Sequence, residues 1–440
     1  MAPTPSSPGG PSSAPETSRT CPACGAALEV HESYVSWCPR CEWNVHPPPA
    51  PPPRNRLQRE YLRAGHRWGE RVAERLVVAE RLEPRWTPSR LAALALAVLV
   101  HLFTLALVAG GVVLLARANG NVFALLGGVV MLGCAWFMRP RLGKVPDTDL
   151  VTTEQAPVLH ALIGEVAATL RARPPERVVV DERFNASWSS LGPRRRRVLH
   201  LGLPLFNVLE PSERVAVIAH ELAHERNGDV SRGLVVGSAV AALTELYALV
   251  GPRDALEMSA TGRPWSGGLD VILAHALLWV ISRPVAALLA VEAHLLLHDS
   301  RRAEFLADAL AARVASTNAV VALHEKLLLA ATVEAAARRA VHERDGAPFD
   351  VFAEARRAVA AVPAHERERR RRAARHEHAR PDVTHPPTGQ RIALLERRPP
   401  QPPGIVLDAE RAAAIEAELA PSRAALAERI VERQRARLYR

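Results

Sequence analysis

Cysteine and aromatic side chains are scarce in this sequence. Five Cys in 440 residues are too few, and the chain too long, for a small secreted scaffold held by disulfides. Aromatics contribute 5% of residues, so the 48% apolar content rests mainly on Ala, Leu and Val. That content is still too high for a wholly disordered chain. Lysine is nearly absent, and Arg supplies almost all of the 56 basic residues set against 46 acidic ones, a formal net charge of +10. A mean hydropathy near zero conceals long apolar runs averaged against long Arg-rich runs, which argues against a simple soluble globule. A signal peptide is missing too. Residues 1–20 are Pro- and Ser-rich and lack a basic start followed by an apolar run. They are expected to be disordered, with the N-terminus in the cytoplasm.

The Cys that are present are arranged. Cys21-Pro-Ala-Cys24 and Cys38-Pro-Arg-Cys41 form two Cys-x-x-Cys knuckles, whose spacing suits four thiolates around one structural zinc over 21–46. So short a segment cannot stabilise itself by apolar burial, and metal would supply its folding energy. The alternative is two disulfides, which a cytoplasmic setting opposes. Tyr34, Trp37 and Trp43 are candidate core or contact residues of this ribbon. Pro47–Pro49 and Pro51–Pro53 then read as a stiff linker, and Arg54 to Arg85 as a basic amphipathic helix at a membrane surface, within a linker region of 47–88.

Leu91 to Ala116 carries no charge, and only His101 and Thr104 interrupt its apolar character. Its helical length of roughly 39 Å exceeds the ~30 Å of a hydrocarbon core. Residues 117–121 supply a turn and Val122 to Met138 a second apolar run, so 89–138 is expected to be a transmembrane hairpin. Arg-rich flanks on both outer sides place those flanks in the cytoplasm. A buried helix pair of a soluble core is the alternative. Gly233 to Val250, interrupted by Glu245, and Leu269 to Leu297, interrupted by Arg283-Pro284 and Glu292, are further spans or amphipathic helices covering the folded domain.

Chemistry concentrates in Pro211–Glu225, a helical pattern opened by Pro and an acidic first turn. It carries His220-Glu221-Leu222-Ala223-His224. Two His at i and i+4 share a helical face and can reach one zinc, and Glu221 beside them can serve as general base and then acid. The bland reading is a pair of exposed helical histidines. A further His six residues after the second is absent, since Val230 stands there. Instead Ser300–Asp308 offers Glu304 as a third ligand and Asp308 as acceptor for the outer N–H of a ligating His. Taken alone, such a carboxylate pair is commonplace on exposed helices.

With these motifs in this order the sequence resembles the M48 group of membrane zinc peptidases, the HtpX-like and CAAX-prenyl-protease-like gluzincins. The resembling elements are HELAHERNGD (His220–Asp229), SRRAEFLAD (Ser300–Asp308), THPPTGQRI (Thr384–Ile392) and NASW (Asn185–Trp188). The likeness covers about Arg90 to Leu395 and omits the ribbon and the final tail. It implies a mostly α-helical zinc metallopeptidase domain over 139–395 with a small β-sheet, and catalytic zinc on His220, His224 and Glu304. It also implies that Asn185 and Ala186 pair with an extended substrate backbone and that His385 and Arg391 stabilise the oxyanion. His385 could equally be a turn residue fixed by Pro386-Pro387. Trp188 stands where the group often has a smaller or different residue, so a different substrate pocket is expected. Asn227 and Asp229 either shape the cleft or end the helix with Gly228.

Glu366 to Arg380 is a basic run, read as a solvated helix or as an attraction for anionic lipid. Residues 396–440 form an Ala/Glu/Arg-rich helical tail without evident chemistry, and Cys134 reads as a small core residue. The expected protein is a multi-pass metalloendopeptidase of the bacterial inner membrane. It would hold one catalytic and one structural zinc, act from the cytoplasmic side on unfolded or membrane polypeptides, and bind the bilayer but no nucleic acid. Three rivals stand beside it. An intramembrane-cleaving protease is opposed by the charges Glu213, Arg214, Glu225 and Arg226 around the motif. A membrane scaffold with a decayed site is opposed by the intact Glu221. A nucleic-acid sensor is opposed by the lack of an aromatic-rich recognition motif.

Overall fold

The computed structural model describes residues 19–46, 71, 74–75, 86–140, 143–250, 269–342, 350–376 and 386–438. The Pro linker, most of the expected basic amphipathic helix, and His385 lie outside these residues, and Asp229 is described in its backbone only. The chain is mostly helical with two small sheets, as the sequence leads one to expect.

The ribbon is a two-stranded hairpin, β1 (Arg19–Thr20) and β2 (Ala27–Leu28), followed by the second knuckle. Gly25, Glu42 and Asn44 adopt positive φ where the two knuckles reverse direction. Gly25 N–H donates to the Cys21 carbonyl and Glu42 N–H to that of Cys38, both at 2.9 Å.

Four apolar helices form a bundle. α1 (Pro88–Ala116) starts at Thr87, whose hydroxyl accepts from Arg90 N–H, and α2 (Val122–Phe137) starts at Asn121, which caps Phe123 and Ala124. At 29 and 16 residues they measure about 44 and 24 Å. They approach closely because Gly111 and Gly128 face one another. A Cβ on either glycine would come within 3.0 Å of the other's carbonyl oxygen. α6 and α7 join this pair after the motif helix described below. α6 (Asp229–Val250) contributes Val236, Ala239, Ala242 and Leu243 to a core with Ala93, Ala97 and Val100.

His101, the polar interruption of α1, is satisfied between helices, with Nε2 3.1 Å from the Val235 carbonyl and 3.0 Å from Ser238 Oγ. The outer faces expose large apolar side chains, among them Leu99, Phe103, Leu105 and Phe123. At the two free ends of the hairpin, Arg90 lies over the exposed Trp86 ring and Arg139 over that of Trp136, at 4.1 and 3.8 Å from the centroids. α7 (Leu269–Ala315) runs 47 residues without a break, Pro284 included. The expected apolar segment 269–297 and the carboxylate-bearing Ser300–Asp308 are therefore one helix. α1 and the Leu277–Ala315 part of α7 are long and apolar enough to cross a membrane.

The rest of the described chain packs around a second, larger core. α3 (Pro157–Leu170) lies beside a three-stranded sheet of order β3-β5-β4. In it β3 (Arg177–Asp181) runs parallel to β5 (Arg196–Gly202), and β4 (Ala186–Leu191) antiparallel to β5. α4 (Leu203–Val208) leads into α5 (Pro211–Arg226). After α7 follow α8 (Thr317–Leu327), α9 (Ala330–His342), α10 (Val351–Ala360), α11 (Ala364–His376), α12 (Thr388–Arg397), α13 (Ala409–Glu418) and α14 (Ala420–Leu438). The core joins Leu159, Leu162 and Val166 of α3 to Leu199 and Leu201 of β5 and Ile218 and Leu222 of α5.

The C-terminal tail belongs to this body. Ile405, Leu407, Ile415, Leu419 and Leu426 are buried in the same core, and the Glu418 carboxylate accepts from Val158 and Leu159 N–H at 2.8 and 3.0 Å. That carboxylate satisfies two orphan donors at the start of α3, which has no side-chain cap of its own. The folded unit therefore continues past residue 395.

Candidate active site

α5 carries the His-Glu-x-x-His sequence, and its start is held firmly. Pro211 opens the first turn and Glu210 N–H donates to Glu213 Oε2 at 2.7 Å. Lys326 Nζ reaches the same oxygen at 2.8 Å. Buried Arg214 donates to the Leu209 carbonyl and to Glu416. Asn227 is the residue that ends α5 and is followed by Gly228 at φ 70°, a left-handed helix stop. This favours the helix-terminating reading of that segment.

α5 packs along α7, which brings Glu304 to the histidines. His220 Nε2 and His224 Nε2 are 3.3 Å apart, and Glu304 oxygens lie 3.4 Å from the first and 3.5 Å from the second. Ligands at the usual zinc–nitrogen and zinc–oxygen distances of about 2.0–2.1 Å in tetrahedral array stand about 3.3 Å from one another. The triangle has that size, and its donors are two imidazoles and a carboxylate, so these residues fit a zinc ion. His220, Glu221 and Glu304 are buried and His224 is partly exposed.

Behind the ligands sits a charged layer. Asp308, fully buried, lies 3.1 Å from His220 Nδ1 and 3.0 Å from His324 Nε2. Arg391 of α12 donates Nε–H and Nη2–H to its two oxygens at 2.7 and 2.6 Å, and its Nη1 is 3.2 Å from Glu304. Burial would push the Asp308 carboxyl up, but Arg391 and His324 outweigh it and hold it well below the usual range. Burial likewise opposes charge on Arg391, and Asp308 and Glu304 overcome it. Burial pulls His220 down, yet its bonds to Asp308 and Glu304 carry it up to about 10; for His224 burial prevails and lowers it.

Arg391, expected to stabilise an oxyanion, has its guanidinium buried against Asp308 and Glu304, with Nη2 3.3 Å from His220 Nε2. His324 was not legible as part of this layer. A single His in an amphipathic helix sixteen residues beyond Asp308 carries no spacing signal.

Asn185 and Ala186 lie at the start of β4, which among the described residues is hydrogen-bonded only to β5. The Asn185 carbonyl is taken by Gly202 N–H at 2.9 Å. Trp188 packs partly buried against the main core, so its indole is a packing group as much as a pocket wall.

The four ribbon thiols also converge. Cys21 and Cys41 Sγ are 3.7 Å apart and Cys24 and Cys38 Sγ 3.6 Å, with all four sulfurs within 4.8 Å of each other and no disulfide among them. Tetrahedral zinc with bonds of about 2.3 Å to sulfur spaces its ligands by about 3.75 Å. The arrangement therefore fits metal and not the disulfide alternative.

The comparisons agree with this geometry. The sequence profile described as peptidase family M48 matches residues 153–399. "Protease HtpX homolog" of Persephonella marina is 26% identical over 50% of this chain and 72% of its own length. The protein of the same name in Salinibacter ruber is 28% identical over 46% of this chain and 67% of its own. No solved structure is significantly similar to the chain. A profile match across more than half the chain, centred on the helices that gather His220, His224 and Glu304, establishes that this protein belongs to peptidase family M48.

Proposed function

We propose that this protein is a membrane-anchored zinc metalloendopeptidase whose active site faces the cytoplasm. The observation that carries the reading is the ligand triangle of His220, His224 and Glu304 with Glu221 in the same helix turn. Bound there, zinc would supply Lewis acidity, polarising the scissile carbonyl and making an attacking water more acidic. The residues of the chain do the rest. Glu221 accepts the proton of the attacking water at a carboxylate oxygen and returns it to the leaving amine nitrogen. Asp308 fixes the His220 ring by accepting at Nδ1, and Arg391 and His324 hold Asp308 in place. The edge of β4 away from β5, which pairs with no strand among the described residues, offers an extended substrate main-chain partners by strand addition. His385 and Arg391 take the oxyanion-stabilising role that the family resemblance implies.

Membrane anchoring rests on the length of α1 and of the apolar 277–297 stretch of α7, which ends before Glu304 and Asp308, and on the outward-facing apolar surface of the bundle. The Trp86–Arg90 and Trp136–Arg139 pairs at the free ends of the hairpin have the make-up of interfacial anchors, and the Arg-rich flanks support a cytoplasmic position for that end. The relatives' name, protease HtpX homolog, agrees with proteolysis. Damaged or misassembled membrane proteins are the proposed substrates.

The motif helix packs through Ile218 and Leu222 against α3 and β5, and contributes nothing to the bundle core of Ala93, Ala97 and Val100, which disfavours intramembrane cleavage. The test is proteolysis of casein and of an unfolded membrane protein by the purified, zinc-loaded chain in detergent. Cleavage is expected. Full zinc loading with no cleavage of either would favour a scaffold.

A further inference from the structure

Trp37 of the ribbon is completely buried, and the ribbon's own small core of Cys21, Leu28 and Cys38 does not account for that burial. α11 covers it. The His365 ring packs 4.8 Å from the Trp37 ring, centroid to centroid, and the Arg372 guanidinium lies 5.3 Å over it. Polar contacts frame the pair. Arg372 Nη1–H donates to the Pro39 carbonyl at 2.5 Å, His376 Nε2 meets Glu42 at 2.9 Å, and His365 Nδ1 is 3.3 Å from Glu29. Trp37, Pro39 and Glu42 flank Cys38 and Cys41, so the knuckle that holds metal is also the surface that grips the helix.

α11 is in turn pressed against α12. A Cβ on Gly389 would lie 2.5 Å from the Ala374 carbonyl carbon and oxygen, and Arg371 of α11 pairs with Glu396 of α12. Two residues beyond Gly389, Arg391 holds Asp308 and Glu304. Bonded or packed contacts thus run without a gap from the ribbon cysteines to the catalytic ligands.

We infer that the ribbon is an intramolecular clamp on α11, and that metal in the ribbon tightens metal binding at His220, His224 and Glu304. The inference rests on the two-metal reading above and goes beyond it by making the sites interdependent. The two-state element is the ribbon itself, folded with metal and unfolded without it. Folded, it fixes α11 and so the α12 position from which Arg391 sets the ligands. By linkage, filling the catalytic site must tighten the ribbon's hold on its own metal by the same factor.

The test is a cobalt(II) titration of the full-length protein in detergent. Thiolate charge-transfer bands report the ribbon, and the weaker d–d bands of a nitrogen–oxygen site report the catalytic set. Cys24→Ser/Cys41→Ser abolishes ribbon loading, and Arg372→Ala keeps the thiolates but loosens the clamp. Both are expected to weaken catalytic-site affinity by about tenfold. Glu418→Ala, which unties the start of α3 away from the ribbon, should lower thermal stability without moving that affinity. Catalytic-site affinity within twofold of wild type in both ribbon variants would overturn the inference. So would an equal loss in Glu418→Ala, which would reveal general destabilisation. If Glu304→Ala leaves the d–d bands intact, the catalytic metal assignment itself has failed and the clamp falls with it.

Discussion

Asp308 and Arg391, 83 residues apart in the chain, form a two-point ion pair at 2.7 and 2.6 Å, and the same carboxylate holds the outer nitrogen of His220 at 3.1 Å. The pair turns a general expectation, that a ligating His needs an acceptor behind it, into a specific dependency. Asp308→Asn keeps the shape and one acceptor oxygen but removes the charge that holds Arg391 and strengthens the hydrogen bond to His220. Metal affinity should fall by about 10–100-fold with Glu221 untouched. Zinc competition with a chromophoric chelator reads this, and unchanged affinity would contradict it.

Arg391→Ala should cost more than a surface ion pair. It leaves Asp308 fully buried with its principal counter-charge gone, a loss of about 3–5 kcal/mol in stability. Because Asp308 is held below its ordinary pKa, its contribution is present above the unfolded value and is lost as pH falls through the folded one. The excess instability of the variant should therefore shrink in acid. Thermal melts of both proteins at neutral and acidic pH would show it.

Metal binding should itself depend on pH with a defined sign. His220 carries a proton up to about pH 10 in the metal-free protein, because Asp308 and Glu304 outweigh its burial, whereas burial keeps His224 neutral. Zinc must displace the His220 proton, so affinity at the catalytic set should rise about tenfold per pH unit from neutral pH toward 9. For the metal-free fold the sign reverses. The raised His220 pKa stabilises fully below the unfolded value of about 6.5, and that stability is lost as pH climbs through about 10. Titration calorimetry in two buffers of different ionisation heat should count one proton released, and none would contradict the assignment.

Gly389→Ala tests the contact between α11 and α12. Its methyl would meet backbone atoms of Ala374 at 2.5 Å, which no rotamer change can relieve. A loss of about 1–3 kcal/mol is expected in urea unfolding. A neutral substitution would mean that the two helices are separable.

Much of the site was legible because helical spacing is local. His220 and His224 lie one turn apart on α5, and Glu304 and Asp308 one turn apart on α7, so each pair could be read from its own few residues. What escaped the sequence is what depends on distant packing. His324 and Arg391 join Asp308 from two further helices, and only the fold shows Arg391 paired with the two carboxylates of α7. The same holds for larger units. The apolar run 269–297 gave no sign that it continues as one helix into Glu304, and residues 396–440 looked like a tail because their buried Ile and Leu are thinly spaced among charges. In the described part of the basic run, Arg369 and Arg370 pair with buried Glu366, Arg371 with Glu325 and Glu396, and Arg372 with Glu368. Its charge is largely committed inside the protein, a fact that a count of arginines cannot supply.

The central claim is that Glu221 is the proton carrier of a zinc peptidase site. The most direct measurement sets casein cleavage by Glu221→Gln beside wild type, with zinc counted in both. Two zincs per chain in each protein and a cleavage rate lower by about 10²-fold or more in Glu221→Gln is the expected result. Undiminished cleavage by the variant, with its zinc in place, would contradict the account.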